Sequence, residues 1–208
     1  MKKYSYIGVA FIILIFGVYA VPKIVNTFKT PNLITIGEVP EFEFINQNGD
    51  LISNSFYENK VYVVEFFFTT CPTICPKMNE NMVKIQNEFY GNIDFGILSF
   101  SINPKYDTPQ ILKDYAKSHG ATLKTWNFLT GDQDKIYELA NTGFTLYAGE
   151  NSNAEGGFEH SGMFALVDKN GKIRSRIDKL GNPIAFYDGL DAKGVQMIKE
   201  DIAILLKE

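Results

Sequence analysis

The sequence predicts an α/β domain, a mixed sheet with helices on both faces, preceded by an N-terminal apolar helix that stands apart from it. Val61 to Phe68 (Val-Tyr-Val-Val-Glu-Phe-Phe-Phe) is β-branched and aromatic on both faces, as a central buried strand must be. A loop with two cysteines follows, and then Met78, Met82, Ile85 and Phe89 recur at helical spacing until Gly91. Near the end, Met163 to Val167 and Lys172 to Ile177 flank the turn Lys169-Asn170-Gly171, so the sheet must hold antiparallel as well as parallel strands.

The elements follow in order. Tyr4 to Val21 is an uncharged, mostly apolar run of 18 residues behind Lys2 and Lys3, about the minimum length for a transmembrane helix. Residues 1–21 are read as a single-pass membrane anchor. Val18-Tyr19-Ala20 also fits a signal-peptidase site, so a cleaved signal peptide is the alternative. A buried core helix ranks below both, because an all-round apolar segment at the extreme N-terminus rarely finds a core to enter. With the two lysines held inside, the expected location is the cell inner membrane with the domain on the periplasmic, non-cytoplasmic side.

Residues 22–36, with Pro22, Asn26, Thr30, Pro31 and Asn32, show little periodicity and read as a tether, so the domain is expected to occupy 37–208. Phe42 and Phe44 alternate with glutamates, and Asn48-Gly49-Asp50 precedes Leu51 and Ile52, which predicts a hairpin. Ile93 to Ser101 returns to strand, Pro109 opens a helix that runs to about His119, and Trp126 to Leu129 is a short strand. Asp132 to Ala140 reads as helix, Gly149 to Gly157 as a polar loop, and Ala192 to Lys207 as a closing amphipathic helix. Strand, Cys loop, helix, strand, helix, hairpin and helix is the order of a thioredoxin-like domain. The scaffold alone does not fix the chemistry. A formal charge of −4 and basic residues no denser than short pairs exclude a phosphate-tracking surface, so nucleic acid is not an expected partner.

The chemistry is concentrated at Cys71 and Cys75, the only two cysteines, set among Pro72, Thr73, Ile74 and Pro76. A disulfide across so short a loop closes little chain entropy and stabilises weakly. A helix N-terminus beside the pair lowers thiol pKa through its unpaired N–H groups, making thiolate available for attack or for metal. Redox enzymes on this scaffold place two residues between their cysteines and a cis-proline before the hairpin strand. Here three residues intervene, no proline occurs between Pro109 and Pro183, and His160 stands ahead of the hairpin strand instead. A peroxiredoxin needs a Thr three residues before its reactive Cys, where this chain has Phe68. Two thiolates and one imidazole suit copper, above all Cu(I) in a three-coordinate set, with Cu(II) the secondary candidate, whereas structural zinc takes four ligands. His119, at a helix end before Gly120, reads as a cap, and core packing is the better account of Met78 and Met163.

The segment Phe66-Phe67-Phe68-Thr69-Thr70-Cys71-Pro72-Thr73-Ile74-Cys75-Pro76 closely resembles the Cys-Pro-x-x-Cys-Pro segment of the Sco/SenC family of copper chaperones. Ser101-Ile102-Asn103-Pro104-Lys105-Tyr106-Asp107-Thr108-Pro109 resembles its Ser-x-Asp-Pro-x-x-Asp-Thr-Pro stretch, and Glu159-His160-Ser161 its Asp-His-Ser. Asn103, Tyr106 and Glu159 depart from the family's usual Asp, Arg and Asp without removing a ligand. The resemblance implies a metal site of Cys71, Cys75 and His160, with Glu159 beside it in a tuning or partner-recognition role. It implies a metallochaperone that receives copper from an upstream donor and helps load the binuclear copper site of cytochrome c oxidase subunit II. A membrane-anchored thiol:disulfide reductase that keeps the target cysteines reduced is the alternative, and a domain with an inert disulfide is the bland one. Asp107 lies in the loop after a central strand, where such sheets place functional groups. It equally begins a helix-start signal, Asp107-Thr108-Pro109, in which either of the first two residues caps, and the two roles can coexist.

Overall fold

The computed structural model describes residues 5–27 and 31–208, with side chains from 8–21 and 31–208, and the chain divides after Asn32 into two units. The first unit carries α1 (Ser5–Thr27), along which Phe11, Ile12, Ile13, Leu14 and Phe16 are exposed. Among the described residues, no helix is long and apolar enough to cross a membrane. Lys2 and Lys3, on which the expected orientation rests, and Thr30 of the expected tether lie outside the described residues.

The second unit is built on β4 (Val61–Phe67), all seven residues of which are buried. β5 (Phe95–Ser101) and β6 (Trp126–Thr130) continue the sheet parallel to it on one side, and β9 (Met163–Val167) pairs antiparallel on the other. β10 (Lys172–Arg176) and β1 (Leu33–Glu38) complete that wing, and β11 (Tyr187–Asp188) adds to β9. The hairpin of β2 (Glu43–Asn46) and β3 (Leu51–Ser53) joins antiparallel to β6 and closes the other wing. The order is β1-β10-β9-β4-β5-β6-β2-β3, a mixed sheet as expected.

Two successive crossovers advance in the same direction across the sheet, and right-handed connections therefore put α2 (Cys75–Glu88) and α3 (Pro109–Ser118) on one face. Asn79 of α2 reaches the Tyr115 hydroxyl of α3 at 2.6 Å, and α5 (Ala192–Leu205) packs beside α2. Side chains alternate along β4, so Phe66 faces the other way. There it meets Phe144, at 5.8 Å between ring centroids, just after α4 (Gln133–Glu138) and its π-helical continuation Leu139–Gly143. Helices do cover both faces, though unequally.

Three local expectations change. β1 lies largely inside the segment read as tether, so the sheet starts at Leu33 rather than near Gly37. Its half-exposed pattern, with a register irregularity between Thr35 and Gly37, is that of an edge strand whose conformation comes from its partner β10. The polar loop after Gly149 is the tip of a two-stranded sheet, β7 (Ala148–Glu150) and β8 (Phe158–His160), so His160 ends a strand of its own. β11, two residues long, carries no periodicity to detect.

Candidate metal centre

β4 delivers the chain to the Cys loop at Phe67, and the loop turns back when the Cys71 N–H donates to the Phe68 carbonyl at 3.2 Å. Its conformation is pinned by Asp107, a fully buried residue. The Asp107 carboxylate accepts the Thr69 N–H at 3.1 Å, the Thr69 hydroxyl, and the Ser101 hydroxyl at 2.5 Å. Thr108, not Asp107, caps α3, accepting from the Ile111 N–H at 3.4 Å. Asp107 therefore acts on the Cys loop through Thr69.

Cys75 is the first residue of α2, followed by Pro76, whose missing N–H costs nothing in a first turn. Cys75 is 1% exposed and Cys71 8%, so Cys71 lies on the side toward solvent. β8 brings His160 across, with Ala148 as its register partner and the Ser161 N–H bonded to the Tyr147 carbonyl at 2.9 Å. The His160 Nε2 is 3.0 Å from the Cys75 sulfur, and Nδ1 is 3.0 Å from the Ser161 carbonyl oxygen. A carbonyl only accepts, so Nδ1 carries the proton in that contact and Nε2 is the nitrogen left to face the sulfurs. Phe68 walls the site, edge-on to His160 at 5.9 Å and tilted against Phe158 at 5.3 Å. Gly156, at φ +88°, lets the β7–β8 tip lie against the Cys loop: a Cβ there would come within 3.0 Å of Phe68 and 3.3 Å of Pro72.

The two sulfurs and a ring nitrogen of His160 lie within 4.8 Å of one another. One ion with bonds of about 2.0–2.3 Å reaches all three after small side-chain adjustments. Among the described residues, no further His, Cys, Asp or Glu joins this group. The hydrogen bond from Cys75 holds the Cys71 thiol well below its ordinary range, against the effect of burial. Cys75 is raised for the same reason, since it keeps the shared proton, and burial adds to this. Cys71 is thus the ready thiolate and Cys75 the protonated partner.

The other singled-out residues separate. Glu159 points outward and its carboxylate accepts from the Asn151 side chain at 2.9 Å, away from the three donors. His119 is the C-cap of α3, with its ring stacked on Tyr115 at 4.0 Å. Met78 is fully buried, as core packing requires, but Met163 is 37% exposed at the start of β9, so core packing does not account for it. Sequence reasoning passed over the buried Glu65, Asn79 and Tyr115, of which Asn79 bonds both the Cys75 carbonyl and the Tyr115 hydroxyl. The signal for Glu65 was present, a single acid inside the most apolar strand. A cavity of about 390 Å³ opens beside Cys71, Phe158 and His160. The larger one, about 930 Å³, lies between the β2–β3 hairpin and α4 and offers neither sulfur nor imidazole.

The thioredoxin-like sheet presents two sulfurs and one imidazole nitrogen at a single point, a donor set of the size and softness that fits one thiophilic metal ion. Residues 35–193 match the family described as SCO1/SenC, and the chain belongs to that family. The SCO1 protein homolog of Bacillus subtilis strain 168 is 36% identical over 166 residues, 78% of this chain and 84% of the relative. The structure of BsSco, described as having a disulfide switch and as a member of the Sco family of cytochrome c oxidase assembly proteins, is similar with a TM-score of 0.69. That match has 30% identity and covers 84% of this chain and 96% of the other. Bradyrhizobium japonicum ScoI with copper bound shares the fold, with a TM-score of 0.62 at 20% identity over 82% of this chain and all of the other (100%).

Proposed function

We propose that this chain is a copper metallochaperone that binds its cargo through Cys71, Cys75 and His160 and assists assembly of the binuclear copper site of cytochrome c oxidase subunit II. The observation that carries the reading is the convergence of two sulfurs and one imidazole nitrogen within 4.8 Å. Two soft donors and a borderline one satisfy Cu(I), which accepts low coordination numbers, and leave room for a partner's ligand during exchange. Cys71, on the open side and already a thiolate, is the ligand to exchange first with a copper donor or acceptor. Asp107, through Thr69, holds the loop so that this exchange does not unfold it. Membership of the SCO1/SenC family and the description of BsSco as an oxidase assembly protein support the choice of target. The apolar run Tyr4 to Val21 supports the further reading that the chain is anchored in the inner membrane with the domain on the periplasmic side.

A thiol:disulfide reductase acting on the target's cysteines is the second reading, favoured by the asymmetry of the pair. A ready Cys71 thiolate attacks a disulfide, and Cys75 then resolves the mixed disulfide, closing a Cys71–Cys75 bond and releasing the target dithiol. His160→Ala separates the two. A carrier loses copper affinity, Cu(II) more than Cu(I), because two sulfurs alone hold Cu(I) linearly while Cu(II) needs nitrogen or oxygen donors. A reductase keeps its rate of disulfide reduction. The check is chelator competition for each oxidation state beside an oxidase-assembly assay in cells. Normal copper binding together with normal assembly removes His160 from the site and puts the reductase first.

A further inference from the structure

Glu65 sits in the middle of β4, six residues before Cys71, and is fully buried. Its register partner Ser99 of β5 donates a hydroxyl hydrogen bond to Oε1 at 2.6 Å, and the Trp126 indole N–H of β6 ends on that same hydroxyl at 2.9 Å. The other oxygen, Oε2, has no hydrogen-bond partner. From α2 come Cys75 and Asn79, and from α3 Tyr115, whose hydroxyl accepts from Asn79 while Asn79 also bonds the Cys75 carbonyl at 3.0 Å. Asp107, at the end of β5, is occupied by Thr69 and Ser101. Among the described residues, no Lys, Arg or His forms an ion pair or hydrogen bond with Glu65, so its negative charge stands without a counter-ion.

A carboxylate in that position is costly, and burial pushes Glu65 up to about 7. Its charge is felt at Cys75, which it helps to raise. An interaction between two charges is mutual, so a change of charge at the Cys75 sulfur acts back on Glu65. Two thiolates with Cu(I) carry one net negative charge, and with Cu(II) none. One electron therefore changes the field at a carboxyl that is balanced between its two forms.

We propose that Glu65 is a positioning residue for the copper couple, protonated beneath Cu(I) and ionised beneath Cu(II), so that the site discriminates oxidation states according to pH. In the linked step Cu(II) takes one electron from a one-electron donor, a reduced metalloprotein or an electrode mediator, and the Glu65 carboxylate takes one proton from solvent. No sulfur ligand is lost. The inference rests on the copper reading above and extends it to the oxidation state the site prefers.

The test uses the full chain in detergent, loaded with Cu(II) and titrated with redox mediators, with Cu(II) followed by its paramagnetic resonance signal. At fixed potential the Cu(II):Cu(I) ratio of the native chain rises about tenfold between about pH 6 and pH 8, which for one electron corresponds to about 59 mV. Glu65→Gln keeps the low-pH behaviour throughout, and Glu65→Asp restores a pH dependence. Ser99→Ala, which removes the hydrogen bond that favours the ionised form, moves the rise to higher pH. The infrared carbonyl band of a protonated carboxyl, present with Cu(I) and lost with Cu(II), reports the same event in the native chain and needs no variant. An unchanged pH profile in Glu65→Gln, or an infrared band that ignores the copper oxidation state, overturns the role of Glu65. Failure of the native chain to bind copper overturns the copper reading itself, and this inference with it.

Discussion

The two faces of the central sheet contrast in what they bury. One face carries Phe66 and Phe100, stacked at 5.4 Å and closed over by Phe42, Phe44 and Phe144, with hydrocarbon against hydrocarbon. The opposite face, beneath α2 and α3, buries Glu65, Asn79, Ser99 and Ser101, and Asp107 closes its end. Strands β4 and β5 supply Phe66 and Phe100 to one face and Glu65, Ser99 and Ser101 to the other from alternate positions. The aromatic face supplies stability that is indifferent to the chemistry. The polar face holds groups that cost stability unless partnered, and two of them, Asn79 and Asp107, find partners in the Cys75 carbonyl and in Thr69 of the Cys loop.

Substitutions on the two faces separate these contributions. The largest effect is expected at the ligands: Cys71→Ser with Cys75→Ser abolishes tight copper binding, a loss beyond the roughly 10–100-fold that attaches to outer-shell partners. Equilibrium dialysis reads this as a fall from one copper per chain to none, and one copper retained in the double variant removes the site. On the aromatic face, Phe66→Ala lowers unfolding free energy by about 3–5 kcal/mol while copper stoichiometry of the folded fraction stays at one. Urea titration of the apo chain checks it, and lost binding in still-folded protein would show the faces to be coupled.

Glu65 gives the contrast a pH signature in the apo chain. Its folded pKa, about 7, lies above the ordinary value of 4.5, so the folded state binds the extra proton between those two values. Stability therefore falls as pH rises through that window, by about 3 kcal/mol in all, and stays low above it. Glu65→Gln flattens the decline, and an equal decline in the variant would assign it to another group. Smaller still, Thr108→Ala removes the α3 cap and costs about 1 kcal/mol without weakening copper binding. Asp107→Asn does the reverse, weakening copper binding roughly 10–100-fold through Thr69. If the two variants behave alike, Asp107 serves α3 rather than the Cys loop.

Much of this was legible from local pattern. The strand at Val61 needed only its run of β-branched and aromatic residues, the helix after Cys75 its apolar spacing, and the turns their Asn-Gly and Asp-Thr-Pro signals. The Cys pair and His160 were legible as donors because two thiols and a histidine are chemically distinctive wherever they stand. What no local pattern contains is the placement of residues distant in sequence. β1 was hidden because an edge strand takes its shape from β10, 134 residues away at the Glu38–Lys172 ion pair. The meeting of His160 with Cys75 spans 85 residues and depends on β8 pairing with β7. Asp107 looked like a cap because its neighbours in sequence make one, and only the arrival of Thr69 from another strand gives its carboxylate a different task. Sequence by itself determined the central strands, the main helices and the donor atoms, because periodicity and ligand chemistry are properties of short segments. Tertiary structure alone decided which cysteine is open, which histidine nitrogen faces the sulfurs and which acid lies beneath them, because burial and hydrogen-bond partners exist only once the strands are side by side.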